Sequence, residues 1–265
     1  MTDPFTTASR LEPLESGRYR ARLDESWGQG RALFGGIQAA LMVRACEALM
    51  DEPERRLRTL SVAFCRAATA GELEVEARLE RGGRYVSNLG ARLEQGGEAV
   101  ATAMALYAKD RDDALTLVDM EPPSLPSPES LDRLPPHPFI PIFTRHFDMR
   151  FVQGTAPYAG SDRAETKGWL RFVEPTPLDS AALAALLDVW PPAVLATLAP
   201  PRASASIDLR YDILQPLPLT AEKDDFFAFR CKVLHWQAGH GIDEGELWTR
   251  DGQPVARIRQ LRVIF

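Results

Sequence analysis

The stretch LFGGIQAALMVRACEAL, Leu33–Leu49, sets two adjacent glycines ahead of a run that is almost wholly apolar. Between Ile37 and Met50 only Gln38, Arg44 and Glu47 are polar, and no proline interrupts, so the run reads as a helix. An amphipathic surface helix needs one apolar stripe, whereas a helix apolar nearly all round is enclosed on most sides. Gly35-Gly36 at its start admit two readings. They are a tight entry turn, or they bring bare backbone N–H groups of a helix terminus close to a ligand.

Strand patterns follow this helix. RTLSVAFCRAA (Arg58–Ala68) comes first, then ELEVEARLERGG (Glu72–Gly83), in which Leu73, Val75, Ala77 and Leu79 alternate with charged residues as in a half-buried strand. RYVSNLGARLEQGGEAVATAMALYA (Arg84–Ala108) breaks at Gly96-Gly97, as two strands joined by a hairpin would. Met120–Pro141 is so rich in proline that it holds neither a long helix nor a central strand. It reads as a linker, giving a first unit over 1–118, a connection over 119–141 and a second unit over 142–265.

The second unit repeats the order of the first. An apolar helix, LDSAALAALLDVW (Leu178–Trp190), stops at Pro191-Pro192. Strands are expected at Ser204–Leu214, Phe226–Trp236, His240–Arg250 and Pro254–Phe265. Overlaying the final hairpins sets Gly97 on Gly252, Val100 on Val255 and Ala105 on Gln260. The expected fold class is therefore α+β: a tandem (double) hotdog, two curved antiparallel sheets each wrapped around a long apolar helix. In each unit the helix precedes a four-stranded run.

Composition excludes several functions. The 265 residues are 45% hydrophobic and 26% charged, as in ordinary globular proteins, and carry a net charge of -6. That balance argues against nucleic acid and anionic membranes as broad electrostatic partners. No secretory signal pattern opens the chain and no run is read as long enough to span a bilayer, the helix after Gly36 coming closest. Cys46, Cys65 and Cys231 are expected to be buried free thiols in a cytoplasmic protein. No Cys/His spacing suits zinc, GQGRALFGG does not fit a dinucleotide fingerprint, and there is no G-x-S-x-G elbow.

FGG before a buried helix, ALLDVW on the second helix, SIDLRY on the next strand and DGQPVARIRQ on the last resemble the double-hotdog acyl-CoA thioesterases, the acyl-CoA thioesterase II group. The resemblance implies hydrolysis of acyl-CoA to fatty acid and CoA without a cofactor, and a homodimer of double hotdogs. In that family a carboxylate, a hydroxyl and an amide, all in the second copy, hold the attacking water. By position these fall on Asp188, Ser206 and Gln260, with Ser206 standing where the family usually has Thr. The active site is implied to lie where the copies meet, with Gly35 and Gly36 candidates for binding the substrate oxyanion. Ala105 cannot hold water, so only the second copy is expected to be catalytic.

The residues carry competing readings. An acid in a helix's last turn opposes the macrodipole, and Ala181 and Ala184 leave space beside Asp188, which favours function there over packing. Gln260 shares parity with Ala256 and Ile258 and is also readable as a core amide satisfied by backbone. Ser206 shares parity with Asp208 and Arg210, so simple alternation puts it on the polar face, away from Gln260 unless a bulge intervenes. His240, between Gly239 and Gly241, reads as a turn or strand start, and no His pairs with an Asp as a hydratase of this fold requires. A non-catalytic acyl-CoA-binding module and an enoyl-thioester hydratase are the alternatives to a thioesterase.

Overall fold

The computed structural model describes residues 3–15, 17–50, 52–112, 115–137, 139–199, 201–219 and 225–265. A capped turn of helix, α1 (Pro4–Ala8), leads into β1 (Glu12–Glu15), β2 (Arg18–Leu23) and the short pair β3 (Gly28–Gln29) and β4 (Ala32–Leu33). The apolar run forms α2 (Gly35–Leu49), followed by β5 (Arg55–Phe64), β6 (Gly71–Gly82), β7 (Val86–Gln95) and β8 (Glu98–Lys109). After the proline-rich connection come β9 (Phe147–Phe151), β10 (Glu165–Phe172), α3 (Ser180–Asp188), β11 (Ser204–Ile213), β12 (Phe227–Gln237), β13 (His240–Trp248) and β14 (Pro254–Ile264).

Among the described residues twelve of these strands form one sheet, in the order β1-β2-β6-β7-β8-β5-β11-β14-β13-β12-β10-β9. Each half wraps its own helix, and the two halves join edge to edge through the antiparallel pair β5–β11, where Ser61 lies opposite Arg210. That junction gives two otherwise exposed edges a partner. The expected hairpin between β7 and β8 turns on Gly96 and Gly97, both at positive φ (60° and 81°), the backbone of a tight two-residue turn.

Sequence patterning omitted a strand pair ahead of each helix. β1 and β2 pair with β6 at one end of the sheet, and β9 and β10 pair with β12 at the other. The unit is therefore strands, helix, four strands. β2 is held to β6 partly by surface ion pairs, Arg18 to Glu74 at 2.7 Å and Arg20 to Glu72 at 3.2 Å, and its many arginines hide the apolar alternation of Ala21 and Leu23. β5 also begins and ends earlier than expected. Cys65 consequently lies beyond the strand and is exposed, unlike Cys46 and Cys231, which are buried as anticipated.

The all-round apolarity of α2 has a fuller cause than a curved sheet. The sheet, mainly β6 and β7, covers one side, and α3 packs antiparallel along another. The polar exceptions are all used. Gln38 is buried and donates to the Leu33 carbonyl at 2.9 Å, Arg44 pairs with Asp179 at 2.7 Å, and Glu47 accepts a hydrogen bond from Ser180. Every residue of α3 is buried. The segment Ser180–Thr197, not the first helix, is the one apolar enough to resemble a membrane span, but 89% of it is buried within the molecule. Helix geometry ends at Asp188, ahead of Pro191 and Pro192, which cannot donate to a continuing helix.

The proline-rich connection is more than a tether. Met120, Leu125 and Leu131 pack on Trp169, Phe226, Ala228 and Trp248, and Trp169 Nε1 donates to the Pro126 carbonyl at 2.8 Å. It covers an apolar patch of the second half-sheet on the face opposite α3.

Candidate active site

The C-terminal end of α3 meets the N-terminal end of α2 at the join between the halves. Asp188, the last residue of α3, is 8% exposed. Gln260, on β14, is 2% exposed and donates from Nε2 to Asp188 Oδ1 at 3.0 Å. Ser206, on β11, donates from Oγ to Gln260 Oε1 at 2.7 Å. The amide is thus oriented by both neighbours, since the carboxylate requires its donor and leaves its acceptor for the hydroxyl. The three expected residues form one hydrogen-bonded chain.

Ser206 reaches Gln260 through a β-bulge. In the β11–β14 ladder Ser206 pairs with Arg262 and Asp208 with Leu261, leaving Ile207 as the extra residue. An extra residue reverses the alternation beyond it and re-aims the side chains on either side. The expectation that Ser206 points with Asp208 and Arg210 is corrected by this slip. Asp208 steadies the bulge, because its Oδ1 accepts from the Leu261 N–H at 3.1 Å.

Gly35 and Gly36 sit directly against the acid. A Cβ on Gly35 would lie 2.7 Å from Asp188 Oδ2 and 2.8 Å from Phe64, and one on Gly36 would lie 2.8 Å from the Ala185 carbonyl oxygen. Only glycine allows the helix ends to approach this closely. The Gly36 N–H donates to the Asp188 carboxylate. The partner of that N–H here is the acid, so the first copy reaches the second copy's carboxylate through its backbone.

Burial pushes the Asp188 carboxyl from its ordinary range up to about 6, opposed by the positive charge of Arg262 and the hydrogen bonds from Gln260 and Gly36. Arg262 is 5% exposed, donates from Nη2 to the Trp190 carbonyl at 3.2 Å, and sets Nε 3.3 Å from Asp243 Oδ2. Asp243, 1% exposed, accepts from the Ala193 N–H at 3.1 Å. Sequence reasoning passed over both, although Arg262 lies two residues beyond Gln260 on one strand and so shares its face. Between Gln260, Trp190, Phe229, Ile258 and Arg262 the packing leaves no room for a water molecule. A cavity of about 590 Å³ lies on the opposite face of the sheet, between Arg78, Arg92, Met104 and Arg210, and none of the three residues lines it.

The histidines lie elsewhere. His240 is exposed, with Nδ1 3.1 Å from the Ala238 carbonyl, and His146 stacks on Trp27 with ring centroids 4.0 Å apart. Among the described residues no group of three or more His, Cys, Asp or Glu side chains converges to hold a metal ion. A buried carboxylate near neutrality, joined to an amide and a hydroxyl, is equipped to orient a water and accept its proton.

Models of the acyl-CoA thioesterase N-terminal and C-terminal domains match residues 23–108 and 119–264. A conserved hot dog fold protein of unknown function from Alicyclobacillus acidocaldarius superposes with a TM-score of 0.89 at 25% identity, covering 100% of this chain and 99% of that one. A putative thioesterase II from Thermobifida fusca gives 0.86 at 23% identity, covering 99% and 98%. An acyl-CoA thioesterase II from Mycobacterium marinum gives 0.77 at 18% identity, covering 98% of each. An uncharacterized protein of Mycobacterium tuberculosis is 29% identical over 111 residues, and the match spans 38% of this chain and 38% of that relative.

Proposed function

Since this chain belongs to the acyl-CoA thioesterase family and is a thioester hydrolase, we propose that it cleaves acyl-CoA with a water held by Asp188, Gln260 and Ser206. The observation carrying this reading is the buried chain from Ser206 Oγ through the Gln260 amide to the Asp188 carboxylate. In the reaction a water enters this chain and bonds to Asp188, with Gln260 and Ser206 fixing its orientation. Its oxygen attacks the thioester carbonyl carbon while Asp188 takes its proton. Collapse of the tetrahedral intermediate breaks the C–S bond, and the proton passes to the departing CoA sulfur, leaving a carboxylic acid and free CoA. A carboxylate held near 6 is ionised at neutral pH yet more basic than an ordinary Asp, which suits it to both transfers.

Ser206 serves where the resemblance leads one to expect Thr because the bulge aims its hydroxyl at Gln260. The missing methyl costs rotamer restriction but no hydrogen bond. Thiol release followed over a series of acyl-CoA chain lengths tests the function. The parent should turn over, and Asp188→Asn and Gln260→Ala should both be far slower. Tight acyl-CoA binding with no thiol released from the parent would instead make this a binding module.

A further inference from the structure

The polar network does not end at Gln260. In the first half, the overlay of final hairpins sets Ala105 in the place of Gln260; Ala105 pairs with Leu60 on one side and Leu89 on the other, and Tyr107 follows two residues later. In the second half, Gln260 pairs with Leu209 and Asp243, and Arg262 follows two residues later. One half thus has Leu89, Ala105 and Tyr107 where the other has Asp243, Gln260 and Arg262. An Arg–Asp pair excluded from water gives little net stability over an apolar replacement, so packing alone does not account for it.

We propose that Arg262 is a positioning residue for the thioesterase reaction: it ties β14, which carries Gln260, to the chain leaving α3, which carries Asp188, and presents its positive charge to that carboxylate. This rests on the function proposed above. The geometry is a clamp. Arg262 Nη2 holds the Trp190 carbonyl, two residues past Asp188, and Nε faces Asp243, which is itself fixed by the Ala193 N–H just beyond Pro192. The carbonyl it takes lies just past the C-cap Val189, so the strand that supplies the amide also holds the chain leaving α3. Arg262 also stands opposite Ser206 in the ladder, so all three site residues are neighbours of this one guanidinium or of the backbone it holds.

The charged and titratable groups around the pair are few. Asp188 is approached by Arg262 from β14, by the Gly36 N–H from α2 and by the buried Tyr211 hydroxyl from β11. Arg262 is approached by Asp243 from β13 and by the buried Cys231 thiol from β12. Burial pushes the Tyr211 and Cys231 groups upward, so both stay neutral and Asp243 is the acid competing for Arg262.

The test is the titration of the Asp188 carboxyl, followed by carbon-detected NMR on the full chain without substrate, alongside the pH profile of thiol release. Arg262→Gln should move the Asp188 midpoint up by about one pH unit or more, and Arg262→Lys should restore most of it while kcat stays lowered. Asp243→Asn, which leaves Arg262 in place, should move the midpoint down. Shifts of opposite sign do not come from loosened structure, and Asp243→Asn carries the test alone if Arg262→Gln does not fold. Coincident titrations in the parent, Arg262→Gln and Asp243→Asn, or in the parent and Asp243→Asn alone in that case, overturn the proposal. The carboxyl reading needs no turnover, so a protein that released no thiol would count against the function and still report on Arg262.

Discussion

The two ends of the α2–α3 pair are built from the same contact and put to different use. At one end the N-terminus of α2 meets the C-terminus of α3, and Asp188 lies buried between Gly36 and Gln260. At the other end the partners are reversed: the C-terminal turns of α2 meet the N-terminus of α3, and Arg44 pairs with Asp179 while Glu47 takes the Ser180 hydroxyl. Asp179 also caps α3, accepting from the Ala182 N–H at 2.9 Å. There the acid sits at a helix N-terminus, where the dipole favours it, and is one third exposed beside a cation. Asp188 sits at a helix C-terminus, in low dielectric. One end is arranged for stability, and the other holds an acid at a cost in stability, as functional sites do.

Four substitutions break or sharpen that contrast. Asp188→Asn should lower kcat by about 10³-fold, within the range for loss of a general base, while the protein stays folded by circular dichroism. Gln260→Ala, which removes the group orienting both water and acid, should cost about 10²-fold in kcat/KM. Gly35→Ala drives a methyl into Asp188 and Phe64. It should cost about tenfold in turnover and about 1–3 kcal/mol in urea denaturation.

The Asp188→Asn protein should also be the more stable one above neutrality. The native carboxyl, near 6, binds its proton more tightly than the unfolded chain does. Its contribution to stability is therefore complete below about pH 4 and is lost as pH rises through 6. Asn has no such loss, so the variant should gain up to about 3 kcal/mol at pH 8 and nothing at pH 4. The smallest effect is expected at the other end, where Asp179→Ala removes a cap and an ion pair. Melting should report about 1 kcal/mol lost, with kcat unchanged.

Much of the fold was legible because the helices and central strands carry strong periodic signals. The run from Ile37 to Leu49 demanded enclosure, and the alternation of Leu73, Val75 and Ala77 demanded a half-buried strand. The outer strands were not legible: β2 is laden with arginines, and β10 carries Gly168 in mid-strand, its Cα facing the Arg150 carbonyl across the ladder. Their ladders and a few buried side chains, Ala21 and Leu23 on β2 and Leu170 on β10, hold these segments in place, and so short an apolar pattern is masked by the charges around it.

The site divides in the same way. Asp188 and Gln260 stood on readable faces, an acid against a helix dipole and an amide among apolar neighbours. Ser206 broke the alternation rule because a bulge is a one-residue register event that no single strand pattern announces. Arg262 and Asp243 looked like ordinary strand charges, and only the ladder that sets them beside Gln260, with the buried Trp190 carbonyl, shows that they face inward.

The most direct measurement is the pH dependence of kcat/KM for thiol release from acyl-CoA, in the parent and in Asp188→Asn. The parent should lose activity on the acid side with a midpoint near pH 6, the position burial gives the Asp188 carboxyl, and the variant should lack both the activity and that limb. An acid limb at the same midpoint in an active Asp188→Asn protein would contradict the assignment of Asp188 as the base.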